Sequence, residues 1–420
     1  MAISSSTGIK KNVLHNLIAR VVSLVSIFLV NILFSRVLGA ADSGQLYYVV
    51  NNFSFVILLS SLSMESGMTY FMSKKEIDEK ELVTISIIWS IIVGITVAII
   101  LFLSRRHIPA FFDHTSLNSF LFISGTLLTT YFSALFFGKK QFVYPHLVPA
   151  LINILLMLYV VITPDKSENV GLLVTLYFGS SWVSGIVMTV VYHIKYGTHF
   201  SLRLPSAVTY GKLYKYSGLA FITNIISFLA YRVDYWILQA FSPRIISEVA
   251  LGNYIQVSKL VQLFLFLPTI LATIIFPMSA SSPNRDYRQF RKMTLQVLFL
   301  NITGCIIAAM IGKWFFPFVY GKTFGLMYSC FLFSVPVILA MTVVRIVSSY
   351  FAGINRIKYN LIGCCITLAT VILMNFLLIP SMGINGSALA DSIGYLAYML
   401  VLLYFIKRIE GKDEKHIVGN

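Results

Sequence analysis

Long apolar blocks run through this 420-residue chain, broken by short clusters of charged and turn-forming residues. Each block is about 20 residues or more, enough for a helix to cross the hydrocarbon core of a bilayer. Twelve such blocks predict membrane-spanning helices, placed near 12–35, 45–72, 82–103, 115–137, 143–163, 170–193, 217–241, 248–276, 293–312, 325–352, 359–379 and 384–406. Twelve is even, so both termini are expected on one side of the membrane. The fold class expected is an all-α integral membrane protein.

The pattern is most informative where it fails. Between Phe221 and Pro277 two apolar helices joined by a short loop carry charge where hydrocarbon is expected: Arg232 and Asp234 in the first, Lys259 in the second. An ionised side chain at membrane depth costs roughly 2.5–3.5 kcal/mol on insertion scales, so such a residue usually faces a wet cavity or a partner. This helix pair reads as the wall of a transport path.

Composition agrees. The chain is 57% hydrophobic and 11% charged, with mean hydropathy +0.82, against about 25% charged for soluble domains. All four cysteines fall in apolar spans, giving neither a disulfide framework nor a metal-ligand spacing. The net charge of +16 is mostly a topology signal. Of the 32 basic residues, 21 fall in the loops and ends on the side of the N-terminus, seven on the opposite side, and four, Arg20, Arg232, Lys259 and Arg345, inside spans. By the excess of Lys and Arg in cytoplasmic loops, both termini are cytoplasmic. No basic run is long enough for a nucleic-acid arm. The first apolar stretch, Val21 to Phe34, has the outline of a secretory leader, but Arg20 and Arg36 bracket it and many spans follow, so it reads as an uncleaved anchor.

The longest cytoplasmic connection runs from His193 to Lys215 and mixes Tyr, Phe and Leu with Lys and Arg, a pattern suited to an interfacial segment. It divides the chain into six spans plus six: residues 1–194, a linker over 195–215, and 216–420. Each half begins on the cytoplasmic side, so any repeat is parallel. In each half a short polar loop, SRVLGAADSGQLYYVV or FSPRIISEVALGNYIQVS, leads to a Gly–Tyr pair: Gly44 and Tyr47, then Gly252 and Tyr254.

At 1.5 Å rise per residue, Arg232 and Lys259 both lie roughly 14–16 Å from the outer ends of their spans and can share one level. Asp234 is two residues from Arg232 and so points away from it, which makes Lys259 its first candidate partner. Arg20, Glu65 and Arg345 fall roughly 10–15 Å from the inner ends. Four intramembrane bases against three acids, Glu65, Asp234 and Asp391, favour an anionic cargo. Simpler roles stand beside these. Arg20 and Arg345 have stems long enough to reach cytoplasmic headgroups, Glu65 could brace packed helices, and Asp391, near the outer surface, reads as structural. Pro268 and Pro336 are expected to bend their spans. Trp89, Trp182, Trp236 and Trp314 suit an interfacial belt or sugar stacking. No histidine has a nucleophile or acid partner at a recognisable spacing, and no phosphate-binding glycine loop is present, so the chain reads as neither an enzyme nor an ATP-driven pump.

SRVLGAADSGQLYYVV, YRVDYWIL in span seven and LGNYIQVSKLVQLFLFLPTILATIIFPMSA after it resemble the polysaccharide and O-antigen flippases (the Wzx type) of the multidrug, oligosaccharidyl-lipid and polysaccharide exporter superfamily. The likeness extends over the chain through the six-plus-six layout. It implies two six-helix bundles around a basic cavity in the bacterial inner membrane, moving an undecaprenyl-diphosphate-linked glycan between leaflets. The family's Arg-x-Asp falls on Arg232 and Asp234; Arg20, Lys259 and Arg345 join as substrate-binding residues on depth alone. A diphosphate needs paired cations in a shielded site, passing from Arg20 and Arg345 to Arg232 and Lys259, with Asp234 and Glu65 as counter-ions or as H+ or Na+ sites. Membrane lipids, a polymerase and glycosyltransferases are the expected partners, and no cofactor is implied. The alternatives are a drug or metabolite exporter of the same superfamily, expected to carry cavity carboxylates for cations; a lipid II flippase, usually with two further C-terminal helices; a membrane-embedded transferase, for which no acid–base pair is seen; and a membrane scaffold, which leaves the buried cations unexplained.

Overall fold

The computed structural model describes residues 3–105, 114–163, 170–197, 206–242, 244–281 and 288–418. Among them the regular structure is helical: α1 (Ile3–Ser61), α2 (Met64–Lys74), α3 (Glu79–Leu103), α4 (Thr115–Gly138), α5 (Tyr144–Ile162), α6 (Val170–Tyr196), α7 (Ala207–Ala240), α8 (Glu248–Phe264), α9 (Phe266–Ser281), α10 (Arg288–Tyr320), α11 (Met327–Gly353), α12 (Ile357–Met382) and α13 (Ile384–Val418), with one 3-10 turn at Lys322–Phe324. Nine described helices are long and apolar enough to cross a membrane, or ten if the bent pair α8 and α9 is one span. The chain is a multi-pass membrane protein.

The difference from twelve predicted spans has physical causes. The polar stretch expected as a loop after the first span is helical on both sides of Gly39, whose φ of 77° and ψ of 179° lie outside the helical region, so two rods read as one α1. The Ala40 N–H beyond the break is capped by Thr323 Oγ1 at 3.1 Å, and Ser43 Oγ donates to the Gly39 carbonyl at 2.5 Å. α7 carries Arg232, Asp234 and two lysines, Lys212 and Lys215, and falls short on apolar character. The eighth predicted span bends by more than 40° at its middle, where Pro268 sits in the first turn of α9. Of the predicted linker, residues 198–205 lie outside the described residues, and from Ala207 onward the chain is already α7.

The chain forms two compact units. The first comprises Met1–Leu38 and Val49–Ile225. α4 and α6 meet through glycines: a Cβ on Gly185 would lie 2.7 Å from the Gly125 carbonyl oxygen, and one on Gly125 would strike the Ser181–Trp182 backbone. Small residues let membrane helices approach backbone to backbone, where dispersion rather than water expulsion holds them. Between α1 and α2, Leu62 and Ser63 take left-handed φ of 49° and 54°. Trp89 Nε1 donates to the Ser60 carbonyl at 2.8 Å and Asn224 Nδ2 to Ser63 Oγ at 3.0 Å, holding this break open. Trp89 thus serves a helix break rather than a surface belt. At other helix ends, Lys139 Nζ pairs with Glu79 Oε1 at 2.5 Å, Tyr192 donates to the same oxygen at 2.6 Å, and Lys139 lies 3.7 Å from the Tyr196 ring centroid.

The second unit comprises Gly39–Tyr48 and Ile226–Asn420. Its centre is α11, the most buried of the apolar spans, with Phe331, Ile338, Ile346 and Phe351 out of contact with solvent. α12 and α13 pack closely, a Cβ on Gly394 falling 2.6 Å from Val371 Cγ2. The 39–48 segment of α1 lies against α8, with Gly44 and Gly252 face to face: a Cβ on Gly44 would come 2.6 Å from the Gly252 Cα, and one on Gly252 would collide with the Ala40 carbonyl. The two similar stretches of the sequence therefore meet at their glycines.

Candidate functional site

The second unit collects most of the charge that the hydropathy pattern singled out. Arg232, in α7, donates through Nη1 to the Tyr235 hydroxyl and to Ser258 Oγ of α8 at 3.5 Å. Its guanidinium also lies over the rings of Tyr231 and Tyr235, 4.7 and 4.8 Å from their centroids. The Lys259 ammonium, one residue past Ser258, lies over the Tyr47 ring, close enough to Arg232 for the two positive charges to repel. Aromatic faces attract cations through their quadrupole without cancelling the charge. Among the described residues the ion pair at salt-bridge distance is Lys139–Glu79, while the Asp234 carboxylate acts on Arg232 through its charge.

For Asp234, whose first candidate partner from the sequence is Lys259, the hydrogen bond described is to Tyr254 of α8. The Tyr254 hydroxyl lies 2.5 Å from Asp234 Oδ2 and 2.7 Å from Asp391 Oδ2. Asp234 is 2% exposed, and its other oxygen is buried without a protein partner. Asp391, read from the sequence as structural near the outer surface, is a member of this cluster. A phenol has one hydrogen and serves one acceptor at a time. Both contacts close together only when a proton or a cation sits on the carboxyl pair. Beside them is a cavity of about 20 Å³ lined by Tyr231, Tyr254, Ser258, Ser334, Asp391 and Tyr395, room for one water-sized particle. On α12 and α13, Ser387 donates to Asn375 Oδ1 at 2.6 Å, both fully buried.

The remaining candidates are elsewhere. Arg345, in α11, is exposed, and its charge reaches the hydroxyls of Tyr231 and Tyr395. Arg20 and Glu65 belong to the first unit. Arg20 acts on His146 of α5. Glu65 occupies the first turn of α2, set there by the Leu62–Ser63 break, with Oε2 buried and unpartnered and Tyr131 of α4 as its electrostatic neighbour.

Tyr47 and Tyr254 are marked in the sequence by the repeated Gly–Tyr pairs, but with no role at the charges, and Ser258 carries no signal, being one of many serines. Asp391 did carry one. Asp234, Tyr254 and Asp391 are each six or seven residues from the end of their helix, about 9–10 Å at the helical rise.

The family model described as polysaccharide biosynthesis protein matches residues 9–283, well over half of the chain. The chain belongs to that family. A curated relative, the lipid II flippase MurJ of Bacillus subtilis (strain 168), is 25% identical over 172 residues, 39% of this chain. The match spans about a third (32%) of that relative. Solved structures share the fold: lipid II flippase MurJ in an inward closed conformation (TM-score 0.74, 14% identity, 94% of this chain and 87% of that one), and an inward-facing multidrug resistance MATE transporter of the MOP superfamily (0.69, 14%, 93% and 96%). A MOP superfamily transporter from Pyrococcus furiosus, described as having a binding pocket of reversed polarity, matches at 0.65 with 15% identity over 96% of both chains. This member of the polysaccharide biosynthesis family thus has the fold of transporters.

Proposed function

We propose that this chain is a flippase that moves an undecaprenyl-diphosphate-linked oligosaccharide, an O-antigen, capsule or exopolysaccharide unit, across the bacterial inner membrane by alternating access. One observation carries the reading: Arg232 and Lys259 are two intramembrane cations near enough to repel each other, with the hydroxyls of Tyr235 and Ser258 and the ring of Tyr47 beside them. Two like charges held close together in a low-dielectric site match a diphosphate, which binds such a pair by charge-assisted hydrogen bonds. Family membership and the partial likeness to a lipid II flippase support a lipid-linked glycan as cargo over an organic cation.

In this reading twelve spans form two six-helix bundles, residues 1–194 and 216–420, with both termini cytoplasmic. Arg20 and Arg345 receive the headgroup, Arg232 and Lys259 hold it next, and the lipid tail stays in the bilayer. The Asp234–Tyr254–Asp391 cluster takes the H+ or Na+ that couples export to an ion gradient, and Glu65 is a second such group. A polymerase and glycosyltransferases act on the product and the precursor. A lipid II cargo is the second reading, favoured by the curated relative; it differs in the sugar and peptide, not in the lipid diphosphate.

The test is translocation of a labelled lipid-linked oligosaccharide in vesicles holding the purified protein. Arg232→Ala and Lys259→Ala should each slow flipping roughly tenfold or more, since a charge-assisted bond contributes about 1.5–3 kcal/mol. Lys140→Ala, at the exposed end of α4, should not. Wild-type rates in both variants would remove the site.

A further inference from the structure

A second cationic feature lies on α10, away from the charges just described. Arg291, Lys292, Leu295, Gln296 and Phe299 line one open groove of about 470 Å³. Helical spacing explains the alignment. Positions 291, 295 and 299 are successive i, i+4 neighbours, and 292 and 296 form the parallel row. The groove therefore has an order along the helix axis: two cations first, then an amide and a leucine, then a phenyl ring.

The apolar members are not packed. Leu295 is 53% exposed and Phe299 68%, and the outward face continues with Leu300, Ile306, Ile307 and Met310. Of the candidate spans, the one starting at Phe290 has the smallest buried share, 17%. This face is built to meet lipid chains. Arg291 and Lys292 have no hydrogen bond, ion pair or ring contact among the described residues, unlike Lys139, which holds Glu79, and Lys195, which donates to Gln141 at 3.2 Å. They are the fourth and fifth residues of α10, close to the end where the helix dipole favours anions, and its first turn holds no acid.

We infer that this groove binds an anionic phospholipid, the phosphate on Arg291 and Lys292, the glycerol esters beside Gln296 and an acyl chain along Leu295 and Phe299. Charge complementarity selects the headgroup and the exposed apolar row selects a lipid over free phosphate. The dimensions agree: Arg291 and Phe299 are about 12 Å apart along the axis, enough to pass from headgroup level into the acyl region, since the interfacial layer is about 5–7 Å thick on each side.

Native mass spectrometry of the full-length protein in detergent tests this with phosphatidylglycerol and phosphatidylcholine. Wild type should take its first phosphatidylglycerol at roughly tenfold lower concentration than phosphatidylcholine, as expected for two basic residues at an anionic headgroup. Arg291→Gln/Lys292→Gln should lose that preference while eluting as wild type on size exclusion. Lys74→Gln/Lys75→Gln, which removes two exposed cations from the end of α2, should keep it, and millimolar inorganic phosphate should not displace the lipid. If the double variant misfolds, Phe299→Trp keeps the cations, and its fluorescence should be quenched more by brominated phosphatidylglycerol than by brominated phosphatidylcholine. Equal binding of the two lipids by wild type, equal quenching, equal loss in both double variants, or displacement by phosphate would overturn the site.

Discussion

Tyr254→Phe removes one hydroxyl and no hydrocarbon. The ring keeps its edge-on contact with Tyr235, at 5.9 Å between centroids and 78° between planes, so what changes is the pair of contacts at 2.5 and 2.7 Å to Asp234 and Asp391. A hydrogen bond to a charged group contributes about 1.5–3 kcal/mol, and leaving a buried acceptor unsatisfied costs about 1–3 kcal/mol. Asp234 Oδ1 already lacks a protein partner, so the carboxylate has nowhere else to turn. The expected loss is about 3 kcal/mol, measured as the shift in the SDS-unfolding midpoint in mixed micelles, read by helical circular dichroism. The cluster acts as a unit, so the same substitution in an Asp391→Asn background should cost at least about 1 kcal/mol less. A Tyr254→Phe protein within about 0.5 kcal/mol of wild type, or an equal cost in both backgrounds, would refute the bridge.

Two further predictions concern packing and helix ends. Gly252→Ala forces a methyl into the Ala40 carbonyl and should destabilise by about 1–3 kcal/mol in the same unfolding assay, whereas Gly218→Ala, with nothing within 4 Å of the new Cβ, should stabilise by roughly 0.5–1 kcal/mol. Glu79→Gln weakens a partly exposed ion pair and the bond from Tyr192; the effect should stay near 1 kcal/mol and appear as faster hydrogen exchange at the ends of α3 and α4.

The charges were legible because hydropathy makes them conspicuous. Arg232, Asp234 and Lys259 are outliers in apolar runs, and the depth argument puts Arg232 level with Lys259, one residue from the Ser258 that Arg232 contacts. Partners were not legible. The repeated Gly–Tyr pairs mark Tyr47 and Tyr254, but tyrosine is compatible with both hydrocarbon and water, so their places over Lys259 and between two aspartates do not follow from the pattern. The contact of Asp391 with Tyr254 was not legible because depth was read for one residue at a time, not compared across helices. The helix through Ala40–Gly44 was hidden because polar residues at that bend bond inward, Ser43 being fully buried. The break at Leu62–Ser63, which sets Glu65 at a helix start, needs left-handed backbone at two residues that do not advertise it.

The central claim, that Arg232 and Lys259 receive a lipid diphosphate, is tested most directly by binding. Isothermal titration of the purified protein with a short-chain isoprenyl diphosphate, and with the matching isoprenyl alcohol, separates headgroup from tail. Arg232→Gln and Lys259→Gln should each weaken diphosphate binding by roughly tenfold or more and leave alcohol binding unchanged. Unaltered diphosphate affinity, or an equal loss for both ligands, would contradict the account.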